Sequence, residues 1–209
     1  MWKVVAAILN RWLTASITFH GFLHGFLAGR STCTATLEAK LIQKLAALRE
    51  DVLYVILLDL HKACDALDRS RCLEILEGYG VGPQDHWILQ TYWRRLTMVA
   101  RAGSYCGKSL QRSRGVMQGD SLSPTIFNVV VDAVVRHWVT VMVEVTEERG
   151  ERGQKGRHQA ALFYADNGMV ALSYPRWLQG SFSTLFGLFY RVGLRTNFGK
   201  TVRMVFRPC

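Results

Sequence analysis

Cysteine is scarce in this 209-residue sequence, and its placement excludes two kinds of small scaffold. The five cysteines are odd in number, and no two of them form a C-x-x-C pair. A disulfide framework and a zinc finger are therefore disfavoured, and a reducing, intracellular compartment is expected. The apolar stretch at residues 4–9 stops at Asn10-Arg11, too early for a signal peptide. No stretch approaches the roughly 20 apolar residues of a membrane span, so no membrane segment is predicted.

Acidic residues are also few, at 16 Asp and Glu against 26 Lys and Arg, and the sequence pI is about 9.7. The net charge of +10 fits a phosphate-rich partner such as nucleic acid. On charge alone, a basic protein without such a partner is the alternative. Hydrophobic residues make up 49%, which argues against disorder. The length suffices for one compact domain, or for a domain with a subdomain.

The order of apolar patterns predicts an α+β fold. Residues 52–58 form a nearly continuous apolar run, typical of a central strand buried on both faces, and the run ends at Asp59. Helical spacing of Leu37, Leu41, Leu45 and Leu48 indicates a helix whose start the preceding threonines can cap. The other predicted elements are helices at 2–13, 70–79, 83–95, 123–142 and 175–191, hairpins within 96–114 and around 165–167, an exposed charged loop at 144–158, and a last strand at 202–206.

Two aspartates have positions that suit metal chemistry. Asp59 ends a buried strand, and Asp166 lies at the predicted tip of a hairpin, within Asp-Asn. Carboxylates at the ends of neighbouring strands can hold two divalent ions about 4 Å apart, which activate a hydroxyl and stabilise a leaving oxygen in phosphoryl transfer. Hard oxygen ligands and substrate phosphates suit Mg²⁺. The alternative for each residue alone is a purely structural aspartate at a strand end or in a turn.

Five segments resemble, in order, the sequence motifs of reverse transcriptases. They are Arg30-Ser31-Thr32, the strand and following residues 55–65 (VILLDLHKACD), residues 114–124 (RGVMQGDSLSP), residues 163–167 (FYADN) and residues 193–201 (GLRTNFGKT). One short motif is weak evidence, whereas five in the family's order are specific. The sequence is most similar to the group II intron-like and non-LTR retroelement enzymes of this family.

This resemblance implies a right-hand polymerase with fingers and a palm, in which helices flank a small antiparallel palm sheet and the thumb is absent. Residues 1–50 would be a finger-like segment, and residues 51–209 a palm with inserted finger elements. The implied activity is RNA-directed DNA polymerisation, with an RNA template, a DNA primer and dNTPs as partners. Two Mg²⁺ ions would be the cofactors, with Mn²⁺ as a possible substitute.

The resemblance also assigns roles to residues. Asp59 and Asp166 would be metal ligands, and the backbone carbonyl of Leu60 would help them. Gln118 and Gly119 would line the nucleotide and template pocket. Two basic residues complete the set. Arg30 would contact the triphosphate or the template, and Lys200 would protonate the leaving pyrophosphate or pair with its charge. A solvated lysine near a turn is the alternative for Lys200.

Three features depart from the family's pattern. Asn167 stands where the family has a second aspartate, so the site loses one negative charge. Cys64 replaces an aromatic residue that packs under the sugar and excludes a 2′-hydroxyl. The chain stops at Cys209, before any thumb. A catalytically impaired, truncated nucleic-acid-binding remnant of the same family is therefore the alternative to an active polymerase, and an unrelated basic α+β protein with chance motifs is a remote third.

Overall fold

The computed structural model describes residues 2–148, 159–173 and 175–208, and these residues form the predicted combination of helices and antiparallel sheet. The helices are α1 (Trp2–Ser16), α2 (Thr32–Leu48), α3 (Ala63–Ala66), α4 (Arg69–Gly78), α5 (Pro83–Arg95), α6 (Ser123–Glu148) and α7 (Pro175–Arg191). The strands are β1 (Leu53–His61), β2 (Thr97–Ala102), β3 (Tyr105–Gln111), β4 (Gln159–Tyr164), β5 (Asn167–Leu172), β6 (Arg195–Thr196) and β7 (Val202–Phe206). The predicted α+β class is confirmed.

Strand β1 is the centre of a five-stranded sheet. The order is β4-β5-β1-β6, and β7 also pairs with β1. Strand β5 lies along one edge of β1, while β7 and β6 share its other edge, β7 at residues 53–57 and β6 at residues 60–61. Strands β2 and β3 form a separate hairpin. The central position agrees with the apolar sequence of β1.

The two faces of β1 are covered to different extents. Side chains alternate along a strand, and Ile56, Leu58 and Leu60 point into the main hydrophobic core. On the opposite face, Leu53 and Val55 pack in a second cluster with Ala46 of α2. Farther along this face, Leu57 is 38% exposed. The prediction of burial on both faces is therefore wrong for the second half of the strand, because α2 covers only the first half.

Helix α2 begins at Thr32 with Ser31 as its N-cap, so the prediction of a threonine cap is wrong, although Thr34 takes part in the cap from within the helix. Ser31 and Thr34 form a reciprocal capping box, in which each side chain accepts a hydrogen bond from the other residue's backbone N–H. The four leucines that gave the helical spacing are exposed, with Leu48 at 72%. The helix instead packs Ala46 and Ile42 on the sheet. The spacing thus identified the helix but not the face that it buries.

Helix α6 crosses the centre of the core. Val130, Val131 and Trp138 have no exposed surface. By length and composition its stretch Ser123–Met142 would suffice to cross a membrane, but 67% of the most apolar part is buried within the fold. The helix continues to Glu148, so the predicted exposed loop is wrong for residues 144–148. Residues 149–158 of that loop lie outside the described part of the chain.

A buried carboxylate on α6 joins the N-terminal segment to the core. Asp132 is completely buried. Its Oδ1 accepts the backbone N–H of His20 at 2.7 Å, and its Oδ2 accepts the hydroxyl of Tyr79 and Nε of Arg136, both at 2.5 Å. Burial and the hydrogen bond to Asp132 raise the pKa of Tyr79. One side chain thereby connects α6 with the end of α4 and with the segment between α1 and α2.

Replacing Asp132 by alanine is expected to destabilise the fold by about 3 kcal/mol, because it leaves a buried backbone N–H and a tyrosine hydroxyl without their acceptor and Arg136 without its partner. Urea unfolding followed by circular dichroism measures this change. Glu74→Ala is the matched control, since Glu74 pairs with Arg71 at an exposed site and such pairs contribute under about 1 kcal/mol. Equal losses in the two variants would contradict a structural role for Asp132.

Candidate active site

Strand pairing brings two of the sequence motifs together at one end of the sheet. In the register of β1 and β5, Asp59 lies directly opposite Asn167. The backbone N–H of Leu60 donates to the carbonyl oxygen of Asp166 at 3.1 Å. Directly opposed residues of antiparallel strands have Cα atoms about 4.5–5.5 Å apart. The segment of Asp59 and the segment of Asp166 are therefore immediate neighbours.

A tight turn carries Asp166 between β4 and β5. Ala165 adopts a left-handed conformation with φ 54°. The predicted hairpin is confirmed, but its tip is Ala165-Asp166, and Asn167 is already the first residue of β5. The Nδ2 of Asn167 donates to Oδ1 of Asp166 at 3.4 Å. The asparagine amide thus lies beside the carboxylate that the sequence predicted as a metal ligand.

The segment before α2 supports this turn. The N–H of His24 donates to the carbonyl oxygen of Phe163 at 2.8 Å, and the N–H of Phe163 donates to that of Phe22 at 2.7 Å. A Cβ atom on Gly25 would lie 2.5 Å from the backbone nitrogen of Ala165. Only glycine permits this approach, so Gly25 lets residues 22–25 pack directly against the turn that presents Asp166.

Asn197 holds the Asp59 carboxylate, a contact for which the sequence gave no signal. The Nδ2 of Asn197 donates to Oδ2 of Asp59 at 2.9 Å, and its backbone N–H donates to the carbonyl oxygen of Asp59 at 2.8 Å. The two residues are 138 positions apart in the chain. Asn197 belonged to a segment identified by resemblance, but no local pattern indicated its partner.

The same asparagine positions the predicted Lys200. The carbonyl oxygen of Asn197 accepts the N–H of Lys200 at 3.1 Å and that of Thr201 at 2.9 Å, which forms a tight turn after β6. Lys200 is exposed and lines a cleft of about 500 Å³ that Asp59 and Asn167 also line. The first turns of α2 form the other wall of this cleft. The uncovered half of the β1 face is therefore the floor of a cleft with acidic, amide and basic groups.

Cys64 lies next to these groups. Burial, with the negative charges of Asp166 and Asp65, raises the pKa of the Cys64 thiol. The cysteines within the described residues, Cys33, Cys64, Cys72 and Cys106, are free thiols.

The loop that contains Gln118 and Gly119 is fastened to the backbone of Cys64. The N–H of Val116 donates to the Cys64 carbonyl oxygen at 2.7 Å. Gly115 has φ +76°, and a Cβ atom there would lie 2.6 Å from the same carbonyl oxygen. Gln118 and Gly119 themselves are exposed. The loop therefore presents both residues at the surface, close in the chain to its contact with Cys64.

Arg30 has a structural task that the sequence did not predict. Its Nη1 donates to the carbonyl oxygens of His20, Gly21 and Leu23. These contacts fasten the segment that packs on the Asp166 turn. The predicted contact of Arg30 with a triphosphate or template would have to be made by Nε or Nη2 of its guanidinium group.

The donor groups fit a magnesium site that substrate completes. Within residues 2–148, 159–173 and 175–208, no group of three or more His, Cys, Asp and Glu side chains forms a metal cage. The available donors are the carboxylates of Asp59 and Asp166 and the amide oxygen of Asn167. Mg²⁺ in such sites takes one or two carboxylates, with substrate phosphates and water as its other ligands. These residues alone therefore do not complete the coordination shell of a metal ion.

Curated relatives share part of this sequence. The Pol polyprotein of a type-1 R2 retrotransposable element from Nasonia vitripennis is 33% identical over 97 residues, which are 44% of this chain and 9% of the relative. The corresponding protein of Popillia japonica is 35% identical over 94 residues, which are 44% of this chain and 15% of the relative. The matched part is thus a small fraction of these relatives' own length.

The fold is similar to that of telomerase. Apo telomerase from Candida tropicalis matches with a TM-score of 0.68 at 16% identity, over 97% of this chain and 35% of that one. Telomerase from Candida albicans, in complex with a fragment of telomeric RNA, gives a TM-score of 0.68 at 14% identity, again over 97% and 35%. A sequence model of the family described as reverse transcriptase (RNA-dependent DNA polymerase) matches residues 1–207. Because that match spans nearly the whole chain and includes both aspartate segments at the cleft, this chain belongs to the reverse transcriptase family.

Proposed function

We propose that this chain is the RNA-directed DNA polymerase domain of a retroelement protein, and that it transfers nucleotides from dNTPs to a primer 3′-hydroxyl on an RNA template by a two-metal mechanism. The observation that carries the proposal is the pairing of Asp59 with the Asp166-Asn167 turn at an open cleft. In this proposal residues 1–50 are finger-like, residues 51–209 form the palm with inserted finger elements, and the protein works inside the cell.

Asp59 and Asp166 are the proposed ligands of two Mg²⁺ ions, or of Mn²⁺ in their place, with help from the backbone carbonyl of Leu60. Bound ions of this kind neutralise phosphate charge and activate the attacking hydroxyl. Asn197 keeps the Asp59 carboxylate oriented through its 2.9 Å hydrogen bond. Lys200, on the wall of the same cleft, protonates the leaving pyrophosphate or balances its charge.

The remaining residues act on substrates. Gln118 and Gly119 contact the incoming nucleotide and the template, and Arg30 contributes charge from the segment that backs the turn. Cys64 lies where the sugar of the nucleotide would pack. The net charge of +10 supports binding of the phosphate backbones of the RNA template and the DNA primer.

A non-catalytic nucleic-acid-binding protein of the same fold is the second candidate, and Asn167 is the residue that favours it. An asparagine in place of a carboxylate removes one full negative charge beside both proposed ions. At an effective dielectric of about 20, unit charges 4 Å apart interact by about 4 kcal/mol, and solvation offsets much of that. Since each 1.36 kcal/mol of barrier is a factor of ten in rate, a loss of about two or three orders of magnitude is expected.

A primer-extension assay distinguishes an active polymerase from a non-catalytic nucleic-acid-binding protein. In a protein that also carries a thumb, Asn167→Asp should raise the rate at least about tenfold and lower the Mg²⁺ concentration for half-maximal activity, because it restores the missing charge. The fold should tolerate this change, since asparagine and aspartate have nearly the same shape and both suit turns.

Asp166→Asn in the Asn167→Asp background is the matched control, and it should abolish extension. If Asn167→Asp leaves the rate unchanged while Asp166→Asn removes activity, the second position is dispensable and the wild-type chain is a competent polymerase. If neither the wild type nor Asn167→Asp extends a primer, the polymerase proposal is rejected in favour of the binding protein.

Asn197→Ala should lower kcat more than it raises KM for dNTP. Without the asparagine the Asp59 carboxylate is free to rotate, which impairs the orientation of the reacting groups more than it weakens substrate binding. It should also weaken Mn²⁺ binding measured by electron paramagnetic resonance. Thr201→Ala is a control within the same turn, since its hydroxyl donates to the Asn197 carbonyl oxygen at 2.9 Å and not to Asp59. Equal effects of the two variants would show that Asn197 acts through the turn and not through Asp59.

Cys64→Tyr should increase the preference for dNTP over NTP, because a larger side chain at the sugar excludes the 2′-hydroxyl. The ratio of kcat/KM for a matched dNTP and NTP pair measures this, and a gain of about tenfold corresponds to 1.36 kcal/mol. Cys72→Ser, a change at a buried cysteine on α4, is the control for general effects of altering a cysteine. An unchanged ratio in Cys64→Tyr would place the sugar elsewhere.

A further inference from the structure

A pocket at the base of the β2–β3 hairpin is lined by three arginines. Arg69, Arg94 and Arg112 line a space of about 360 Å³, together with polar side chains such as Ser70, Gln90 and Ser113. Among the residues that the structure describes, no acidic side chain lines it. The pocket shares none of its lining residues with the cleft at Asp59. It is therefore a second concave, positively charged surface on the molecule.

Arg69 has a hydrogen-bond donor that the protein does not use. Its Nε donates to the Gly115 carbonyl oxygen at 2.9 Å, and its Nη1 donates to those of Arg112 at 2.6 Å and Trp93 at 3.4 Å. The guanidinium carbon lies 5.6 Å from the centre of the Trp93 ring. The Nη2 atom is buried and has no hydrogen-bond partner within the described part of the chain. A buried donor without an acceptor is costly, so this atom favours a ligand that brings an acceptor.

The positive charges of Arg69 and Arg112 in this pocket are also only partly neutralised by the protein. The acceptors of Arg69 are neutral carbonyl oxygens, and burial together with the nearby charge of Arg112 lowers the pKa of Arg69. Arg112 has an acidic partner, Asp65, at 2.7 Å, but that carboxylate is 42% exposed, so solvent screens the ion pair. An anion in the pocket would relieve the repulsion between the guanidinium groups and supply the missing acceptor.

We propose that this pocket binds the oxygens of a phosphate group, with Arg69, Arg94 and Arg112 as its ligands. Guanidinium groups match the geometry of phosphate and form strong charge-assisted hydrogen bonds with it. The phosphate belongs either to the backbone of a bound nucleic acid or to a free phosphate or nucleotide. The backbone source rests on the proposed function. The pocket adjoins the segment 112–116 that leads to Gln118, so a backbone phosphate held here would lie beside the proposed template pocket.

Arg94→Gln tests the site, because Arg94 is exposed on the last turn of α5 and can be changed without breaking the contacts that Arg69 makes. Arg49→Gln is the matched control, with the same loss of charge at an exposed position outside the pocket. In a titration with inorganic phosphate at constant ionic strength, the Nε–Hε NMR signal of Arg69 should shift and saturate. The apparent affinity should fall about tenfold in Arg94→Gln, as for the loss of one charge-assisted hydrogen bond, and stay unchanged in Arg49→Gln.

Binding of single-stranded RNA at several salt concentrations identifies the source of the phosphate. If the site takes a backbone phosphate, the slope of log K against log salt should decrease by about 0.7 more in Arg94→Gln than in Arg49→Gln. If the phosphate titration responds to Arg94→Gln and the RNA slopes of the two variants agree, the site takes free phosphate or nucleotide. The inference is overturned if phosphate produces no saturable shift and the two variants behave alike in both measurements. Failure of primer extension would leave the phosphate titration unaffected, so the two proposals fail separately.

Discussion

The antiparallel pairing of β1 with β5 is the constraint on which the site depends. It sets Asp59 opposite Asn167 and lets the Leu60 N–H bond the Asp166 carbonyl oxygen. A slip of one residue would turn every side chain of β1 to the other face and bury the acid in the core. The alternation of Ile56, Leu58 and Leu60 into the main core opposes such a slip. The hydrophobic core therefore fixes the position of the Asp59 carboxylate, which is a proposed metal ligand.

The incomplete cover of the sheet gives the site its access. Helix α2 packs on the first half of the β1 face, at Leu53 and Val55, and leaves the second half at Leu57 and Asp59 open. Leu57 is 38% exposed, so it contributes less hydrophobic stabilisation than it would if α2 also covered this half of the strand. The proposed substrates, a primer, a template and a nucleotide, are large and would need such an open surface. Apolar packing is thus concentrated at the first half of the strand, and the proposed site lies at the second half.

The sequence predicted local structure well and long-range contacts poorly, for a physical reason. Caps, apolar periodicity and turn residues act within a few positions, so the helices at 83–95 and 175–191 and the strand at 202–206 agree with the structure. Motif order also led to Asp59 and Asp166, which the sheet brings side by side. The contact between Asn197 and Asp59 depends on how distant strands pair, and no local pattern encodes it. The same holds for the exposed leucines of α2, because the identity of the covered face is decided by the sheet beneath it.

Asn167 changes the electrostatics of the turn that presents Asp166. A carboxylate at this position would lie beside Asp166 and, without a cation, would repel it, which raises the free energy of the metal-free state. The asparagine amide instead donates to Asp166 at 3.4 Å, so the metal-free turn has no such repulsion. Two adjacent carboxylates repel each other without cations and bind cations strongly. One carboxylate beside one amide has less repulsion and a weaker affinity for cations. The asparagine that weakens the proposed metal site therefore makes the metal-free turn easier to form.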